Sequence, residues 1–160
     1  MGAFDNLGRL CESQAVAATN TWSTNFIDLV DTVSQVGVGT PVWLNIRVAV
    51  APTDAGDTCA IQAQMSATND GTNLSGTIKN LFTLCDDALA ELAVTDARLT
   101  PAGAWTLRMP LPMEATLRYL QLKFIQGTSN GTQTYDAWLS ATPPDSDRGV
   151  EILVSPVGQP

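Results

Sequence analysis

The sequence predicts an all-β protein, a jelly-roll-type antiparallel β-sandwich of about eight strands. Six segments alternate apolar and polar residues with a period of two, which is the pattern of strands that bury one face. Turn signals rich in glycine, proline, asparagine and aspartate separate these segments, and no helical period is sustained. Short strands joined by turns are typical of a two-sheet sandwich, and a jelly roll fits this number of strands.

The clearest predicted strand covers residues 42–50. Its even-numbered residues are apolar and form one face, while Trp43, Asn45 and Arg47 form the other. Further strands are predicted at 26–30, 59–66, 104–109, 117–125, 135–141 and 150–154. The residues expected to face the core are Leu44, Ile46, Val48, Val50, Cys59, Ile61, Ala63, Met65, Trp105, Leu107, Met109, Leu120, Leu122, Phe124, Tyr135, Ala137, Leu139 and Ala141.

Residues 78–95 allow two interpretations. The helix formers of 86–93 are compatible with one or two helical turns, whereas the surrounding pattern favours a meandering strand and loop. The turn at 69–73, with its Asp70-Gly71 pair, carries the strongest hairpin signal in the chain.

A chain of 160 residues predicts one domain with a core of its own. We expect an N-terminal arm at residues 1–13 and a single jelly-roll domain at 14–160. Phe4, Leu7 and Leu10 are apolar residues in an otherwise polar stretch, so we expect them to contact a neighbouring subunit.

The composition disfavours several classes of partner. The formal net charge is −8 and the eight basic residues are scattered, which argues against binding to nucleic acid or to anionic membranes. Charged residues make up only 15% of the chain, a proportion typical of a surface partly covered by partners, although polar β-proteins share it. The N-terminal residues lack the pattern of a signal peptide, and we expect synthesis in a cytoplasm.

The sequence contains no pattern of an enzyme or metal site. It has no histidine, no CxxC pair, no Gly-x-Ser-x-Gly and no phosphate-binding glycine loop. We therefore expect no catalytic residue, no metal and no cofactor. Cys59, on the apolar phase of its strand, is expected to be a small buried hydrophobe.

The exposed aromatic and basic residues are the candidates for a binding surface. Trp43 and Trp138 fall on the polar phases of their strands, where they suit a protein contact, with sugar binding as the alternative. Arg47, Arg108 and Arg118 are candidate interface residues. For Arg108 and Arg118 we suggest interface ion pairs, with ordinary edge-strand charges as the alternative.

Two short motifs carry a resemblance to a known family. Ser23-Thr24-Asn25-x-Ile27-Asp28-Leu29 precedes a Gly37/Gly39-Pro41 turn and an apolar strand, and Arg118-Tyr119-Leu120-x-Leu122 follows much later. In order and spacing these segments resemble the small capsid cement (decoration) proteins of tailed, especially short-tailed, bacteriophages. The likeness covers residues 14–50 and 105–140.

The resemblance implies a virion protein without enzymatic activity. Such proteins bind the outer surface of the major capsid protein shell, bridge neighbouring capsomers and stabilise the head against internal DNA pressure. They act as small homo-oligomers, either dimers or trimers. A carbohydrate-binding β-sandwich on a virion or tail is the alternative function.

Overall fold

The computed structural model describes residues 8–16, 20–29, 42–52, 58–85, 92–93, 96, 98–99, 105–111, 116–127 and 133–140. These residues form strands and connecting segments and contain no helix. The strands are β1 (Arg9–Val16), β2 (Asn20–Trp22), β3 (Ile27–Asp28), β4 (Trp43–Val50), β5 (Thr58–Asn69), β6 (Leu74–Leu84), β7 (Leu92–Ala93), β8 (Trp105–Pro110), β9 (Tyr119–Gln126) and β10 (Gln133–Ser140).

The strands form two antiparallel sheets. The first sheet has the order β1-β10-β4-β8. The second has the order β2-β9-β5-β6, with the short strands β3 and β7 pairing with β9 and β5 respectively. Every pairing between these strands is antiparallel.

This strand order is that of a jelly roll. If β2 and β3 are taken as one interrupted strand and β7 is set aside, eight main strands remain. The first of these pairs with the eighth, the second with the seventh, the third with the sixth and the fourth with the fifth. Such nested pairing results when one long hairpin rolls up into two sheets. The predicted fold class is confirmed.

The core lies between the two sheets and has the predicted facing residues. The inward phases of β4, β5, β9 and β10 are buried, because alternate side chains of each strand point toward the opposite sheet. Phe124 of β9 stacks on Tyr135 of β10, with ring centroids 5.3 Å apart and planes inclined by 16°. This aromatic pair joins the two sheets. Cys59 is fully buried, as predicted.

Several expectations require correction or lie outside the described residues. Val50 was expected to face the core, but it is 47% exposed, because the pairing of β4 with β10 shifts register after Val48 and places Val50 opposite Thr134 on the outward phase of β10. Leu107 packs against the core, as expected from its inward phase, and both Leu107 and Met109 are half-buried. The side chains of Trp105 and Ala141 and the predicted strand at 150–154 lie outside the described residues. Of the ambiguous stretch 78–95, residues up to Leu84 belong to β6 and 92–93 form β7.

The predicted N-terminal arm overlaps the first strand. Arg9 to Ser13 belong to β1, which pairs with β10, and Leu10 is fully buried. Residues 9–13 are therefore part of the sandwich, and Leu10 is a core residue that cannot contact a neighbouring subunit. The alternation of β1 is irregular, which is why it was not recognised from sequence. Phe4 and Leu7 lie outside the described residues.

The tip of the β5–β6 hairpin is fastened to the outer side of the second sheet. The Gln121 side chain accepts a hydrogen bond from the Leu74 backbone N–H at 2.9 Å. Its amide nitrogen donates to the backbone oxygens of Ser23 (3.0 Å) and Thr72 (3.3 Å). Gln121 is fully buried although its phase on β9 points away from the core. One glutamine thus links β2, β9 and the hairpin.

Two glycines near this hairpin tip adopt the left-handed backbone conformation, and we expect them to differ in their tolerance of alanine. A Cβ at Gly76 (φ +70°) would lie 2.7 Å from the Thr68 hydroxyl oxygen, whereas one at Gly71 (φ +96°) would meet nothing within 4 Å. Gly71→Ala should lower the free energy of unfolding by about 1–2 kcal/mol through backbone strain alone. Gly76→Ala should lower the free energy of unfolding by about 1 kcal/mol more than Gly71→Ala does, because Thr68 must also move.

Urea unfolding of the two variants measures this difference directly. Equal losses for Gly71→Ala and Gly76→Ala would contradict the prediction.

Candidate functional site

Four of the predicted interface residues lie on the outer face of the first sheet. Trp43 and Arg47 belong to β4, Arg108 to β8 and Trp138 to β10. The cross-strand partners Arg9, Trp138, Asn45 and Arg108 form one row across all four strands. Directly opposite residues project from the same side of a sheet, so this row defines one surface, which we call the tryptophan–arginine face.

The tryptophan–arginine face is continuous around Asn45. Trp43 and Arg47 flank Asn45 along β4, which makes Trp43 the diagonal neighbour of Trp138, within reach of an aromatic side chain. Both tryptophans are half-buried, and Arg47 and Arg108 are exposed. Asn45 itself is fully buried, and its amide nitrogen donates to the Ser140 hydroxyl at 2.9 Å.

A cleft of about 400 Å³ opens on this face between β1 and β4. It is lined by Arg9, Cys11, Glu12, Ser13, Arg47, Asp136 and Trp138. The irregularity of β1 shapes it: the pairing of β1 with β10 shifts register on both sides of Cys11, and Ser13 has a positive φ of 47°. A β-bulge bends its strand and re-aims its side chains, and here it lies beside the outward residues Asp136 and Trp138 of β10.

Asp136 organises the polar groups of the cleft. One carboxylate oxygen accepts the backbone N–H of Ser13 at 2.7 Å, and the other accepts an N–H of Arg47 at 3.0 Å. Asp136 therefore joins the bulge of β1 to the guanidinium on β4, across the strand between them. A second ion pair, between Arg9 and Glu12, lies within β1.

Cys11 contributes an uncharged thiol to the cleft. Burial, reinforced by the negative charge of Asp136, raises the pKa of Cys11 to about 12. The thiol is therefore protonated at neutral pH. Cys11, Cys59 and Cys85 are all free, and no group of metal-ligating residues occurs in the part of the chain that the structure describes.

Arg118 does not belong to the tryptophan–arginine face. It lies before β9 in the second sheet and forms two hydrogen bonds with the Asp28 carboxylate, at 2.8 and 2.6 Å. Its guanidinium also lies 5.1 Å from the centre of the Tyr119 ring. Arg118 thus forms its ion pair within the chain.

The two motifs that carry the resemblance lie in direct contact in the second sheet. Ile27 of the first motif pairs with Leu120 of the second, and the Leu29 N–H donates to the Arg118 carbonyl at 2.9 Å. The Ser23 backbone N–H also donates to the Leu122 carbonyl at 2.9 Å, and the Leu122 N–H donates to the Ser23 hydroxyl oxygen at 3.1 Å. The two motifs therefore form one contact that fastens β2 and β3 to β9, a structural role that each motif alone does not reveal.

Sequence reasoning missed Ser13 and Asp136 as parts of the site. The position of Asp136, two residues before Trp138 on an alternating strand, was a usable signal that both side chains share a face. No local signal predicts the bulge at Ser13, because its conformation depends on the pairing of β1 with β10, about 120 residues away.

A protein-family model named Bbp16 matches residues 10–137, most of the chain, and the family name is a phage designation. A search of curated proteins found no match. None of the described residues forms a helix that could cross a membrane.

Proposed function

The chain belongs to the Bbp16 family, and we propose that this phage-related structural protein is a capsid cement protein. In this proposal it binds the outer surface of the major capsid protein shell of a tailed phage and stabilises the head against internal DNA pressure. It works without enzymatic activity and without a cofactor, and it does not bind nucleic acid or membranes.

The tryptophan–arginine face is the observation that carries this proposal. Tryptophan and arginine are the residues most enriched among those that dominate the energy of protein interfaces. Here Trp43, Trp138, Arg47 and Arg108 gather on one sheet from three strands. A sheet face is rigid, so little conformational entropy is lost when a second protein covers it.

A protein that stabilises a capsid shell as a homo-oligomer can use a modest contact surface in each subunit. A homo-oligomer presents several copies of the tryptophan–arginine face to a shell that repeats its own sites by symmetry. The second and third contacts then form at a high effective concentration, so weak single contacts give firm binding. We propose a dimer or a trimer as the binding unit.

The test uses heads of the parent phage that lack this protein. Adding the purified protein should give saturable binding to the outer surface, and decorated heads should rupture at a higher temperature than bare heads. Light scattering of the protein alone, at low and high salt, should give the mass of a dimer or trimer. Absence of binding to the heads would overturn the cement proposal, and a monomer at all concentrations would contradict the proposed oligomer.

Carbohydrate binding is the second candidate, because Trp138 borders a cleft that also contains carboxylate, hydroxyl and guanidinium groups. Aromatic walls beside polar groups are common in ligand sites. Titration with polysaccharides, followed by tryptophan fluorescence, separates the two functions: a saturable change supports sugar binding, and its absence supports a protein partner.

A further inference from the structure

The cleft between β1 and β4 combines a positioned guanidinium with an aromatic wall. We propose that it binds the carboxylate of an acidic side chain of the capsid partner, which pairs with Arg47 beside Trp138. This proposal rests on the cement function and adds the chemistry of its central contact.

The first argument is the geometry of Arg47. Its guanidinium has five N–H donors, and the hydrogen bond to Asp136 uses one of them. The side chain is 46% exposed, so further donors are available to a partner. Because the bond to Asp136 already orients the guanidinium, an incoming carboxylate gains charge-assisted hydrogen bonds with little ordering of the arginine.

The second argument is that Asp136 is already engaged. Both of its oxygens accept hydrogen bonds, one from Ser13 and one from Arg47. Its negative charge therefore serves to position Arg47 and is partly neutralised by it. Cys11 adds no negative charge to the cleft, since its thiol is protonated at neutral pH.

The third argument is the distribution of charge. Among the described residues, Arg9, Arg47 and Arg108 lie on the tryptophan–arginine face. The carboxylates that line the cleft are Glu12 and Asp136, and each is already paired with an arginine of this face. The charges described on this face therefore favour an incoming carboxylate.

The size of the cleft agrees with a side chain as its occupant. A volume of about 400 Å³ is at the lower end of the range for small-molecule sites. It accommodates a glutamate or aspartate together with adjacent residues of an extended segment. The flat ring of Trp138 provides apolar contact for the methylene groups of that side chain.

The experiment compares matched variants in binding to heads that lack the protein. Arg47→Gln and Trp138→Ala should each weaken binding by about tenfold or more, because the first loses a charge-assisted contact and the second an aromatic contact in every copy. The controls are Lys123→Gln and Trp22→Ala, which alter a cation and a tryptophan that lie against each other on the second sheet, 5.7 Å from charge to ring centre. Thermal unfolding verifies that all four variants fold.

The outcomes separate this proposal from the cement function. Wild-type protein that fails to bind heads overturns the cement function itself. If the wild-type protein binds heads, and the Arg47→Gln and Trp138→Ala variants bind them as tightly as the controls do, only the cleft proposal is overturned.

A second measurement requires no heads. Peptide Ac-Gly-Glu-Gly-NH2, but not its glutamine counterpart, should shift the NMR signal of the Trp138 indole N–H. A shift caused by polysaccharide and not by the acidic peptide would make the cleft a sugar site and overturn the proposal.

Discussion

Replacing Phe124 with alanine should lower the free energy of unfolding by about 3–5 kcal/mol, the loss typical of a buried phenylalanine. Phe124 is fully buried and stacks on Tyr135 across the two sheets. Its removal opens a cavity between two rigid sheets that cannot close around it without breaking their hydrogen-bonded ladders. The loss should therefore be near the upper end of this range, and urea unfolding followed by circular dichroism measures it.

Tyr135→Phe is the matched control for this prediction. It keeps the stacked rings and removes only the hydroxyl that donates to the Gln133 side-chain oxygen at 2.6 Å. We expect a loss of about 1–3 kcal/mol, since the buried oxygen of Gln133 then lacks its partner. If Phe124→Ala lowers the free energy of unfolding by no more than Tyr135→Phe does, the stacked pair is not the main contact between the sheets.

The second large effect is expected at Gln121. Gln121→Met keeps the volume of the side chain but leaves the Leu74 N–H and the Ser23 carbonyl without their side-chain partner. Each buried polar group without a partner reduces stability by about 1–3 kcal/mol. The amide of Leu74 should also exchange with solvent much faster, because the hairpin tip is released from β9.

Gln64→Met provides the comparison, because Gln64 lies directly opposite Gln121 on β5 and is also buried. Its amide nitrogen donates to the neighbouring Gln62 side chain, which is half-buried and can turn to water. We expect a loss of less than 1 kcal/mol there, as for typical single hydrogen bonds. Similar losses in Gln121→Met and Gln64→Met, or unchanged exchange at Leu74, would show that Gln121 does not hold the hairpin.

The alternation of apolar residues was sufficient to predict the strands and their inner faces. Leu120, Leu122 and Phe124 are all fully buried, as their phase on one strand required. This success follows from the period of two, which is a local property of the chain. The burial of Leu10 was not predicted, because β1 is bulged and its apolar residues do not alternate regularly.

The exceptions to this alternation are outward-facing residues that are buried because other parts of the chain cover them. Asn45 and Gln121 are both fully buried although they occupy polar phases. Asn45 lies between two tryptophans and two arginines of the tryptophan–arginine face, and Gln121 lies beneath a hairpin tip. Only the arrangement of the strands creates these coverings, so no local pattern predicts them.

The same limit applies to the candidate site. Trp43 and Trp138 were both recognised as outward residues from their own strands. β10 lies between β1 and β4, and this order places the two tryptophans and Arg47 side by side. The order depends on pairing between segments that are distant in the sequence. The outward phases of these residues were therefore predictable, but the assembly of the tryptophan–arginine face and its cleft were not.

The nested pairing of the strands has a consequence for the order in which the protein folds. The first strand finds its partner in the last described strand, since Arg9 pairs with Trp138. Chains emerge from the ribosome N-terminus first, so the apolar residues of β1 remain without their neighbour until almost the whole domain has been synthesised. Contacts of such high sequence separation also slow folding, typically to milliseconds or seconds. The late emergence of β10 thus delays the formation of the cleft until the last of the described strands has been translated.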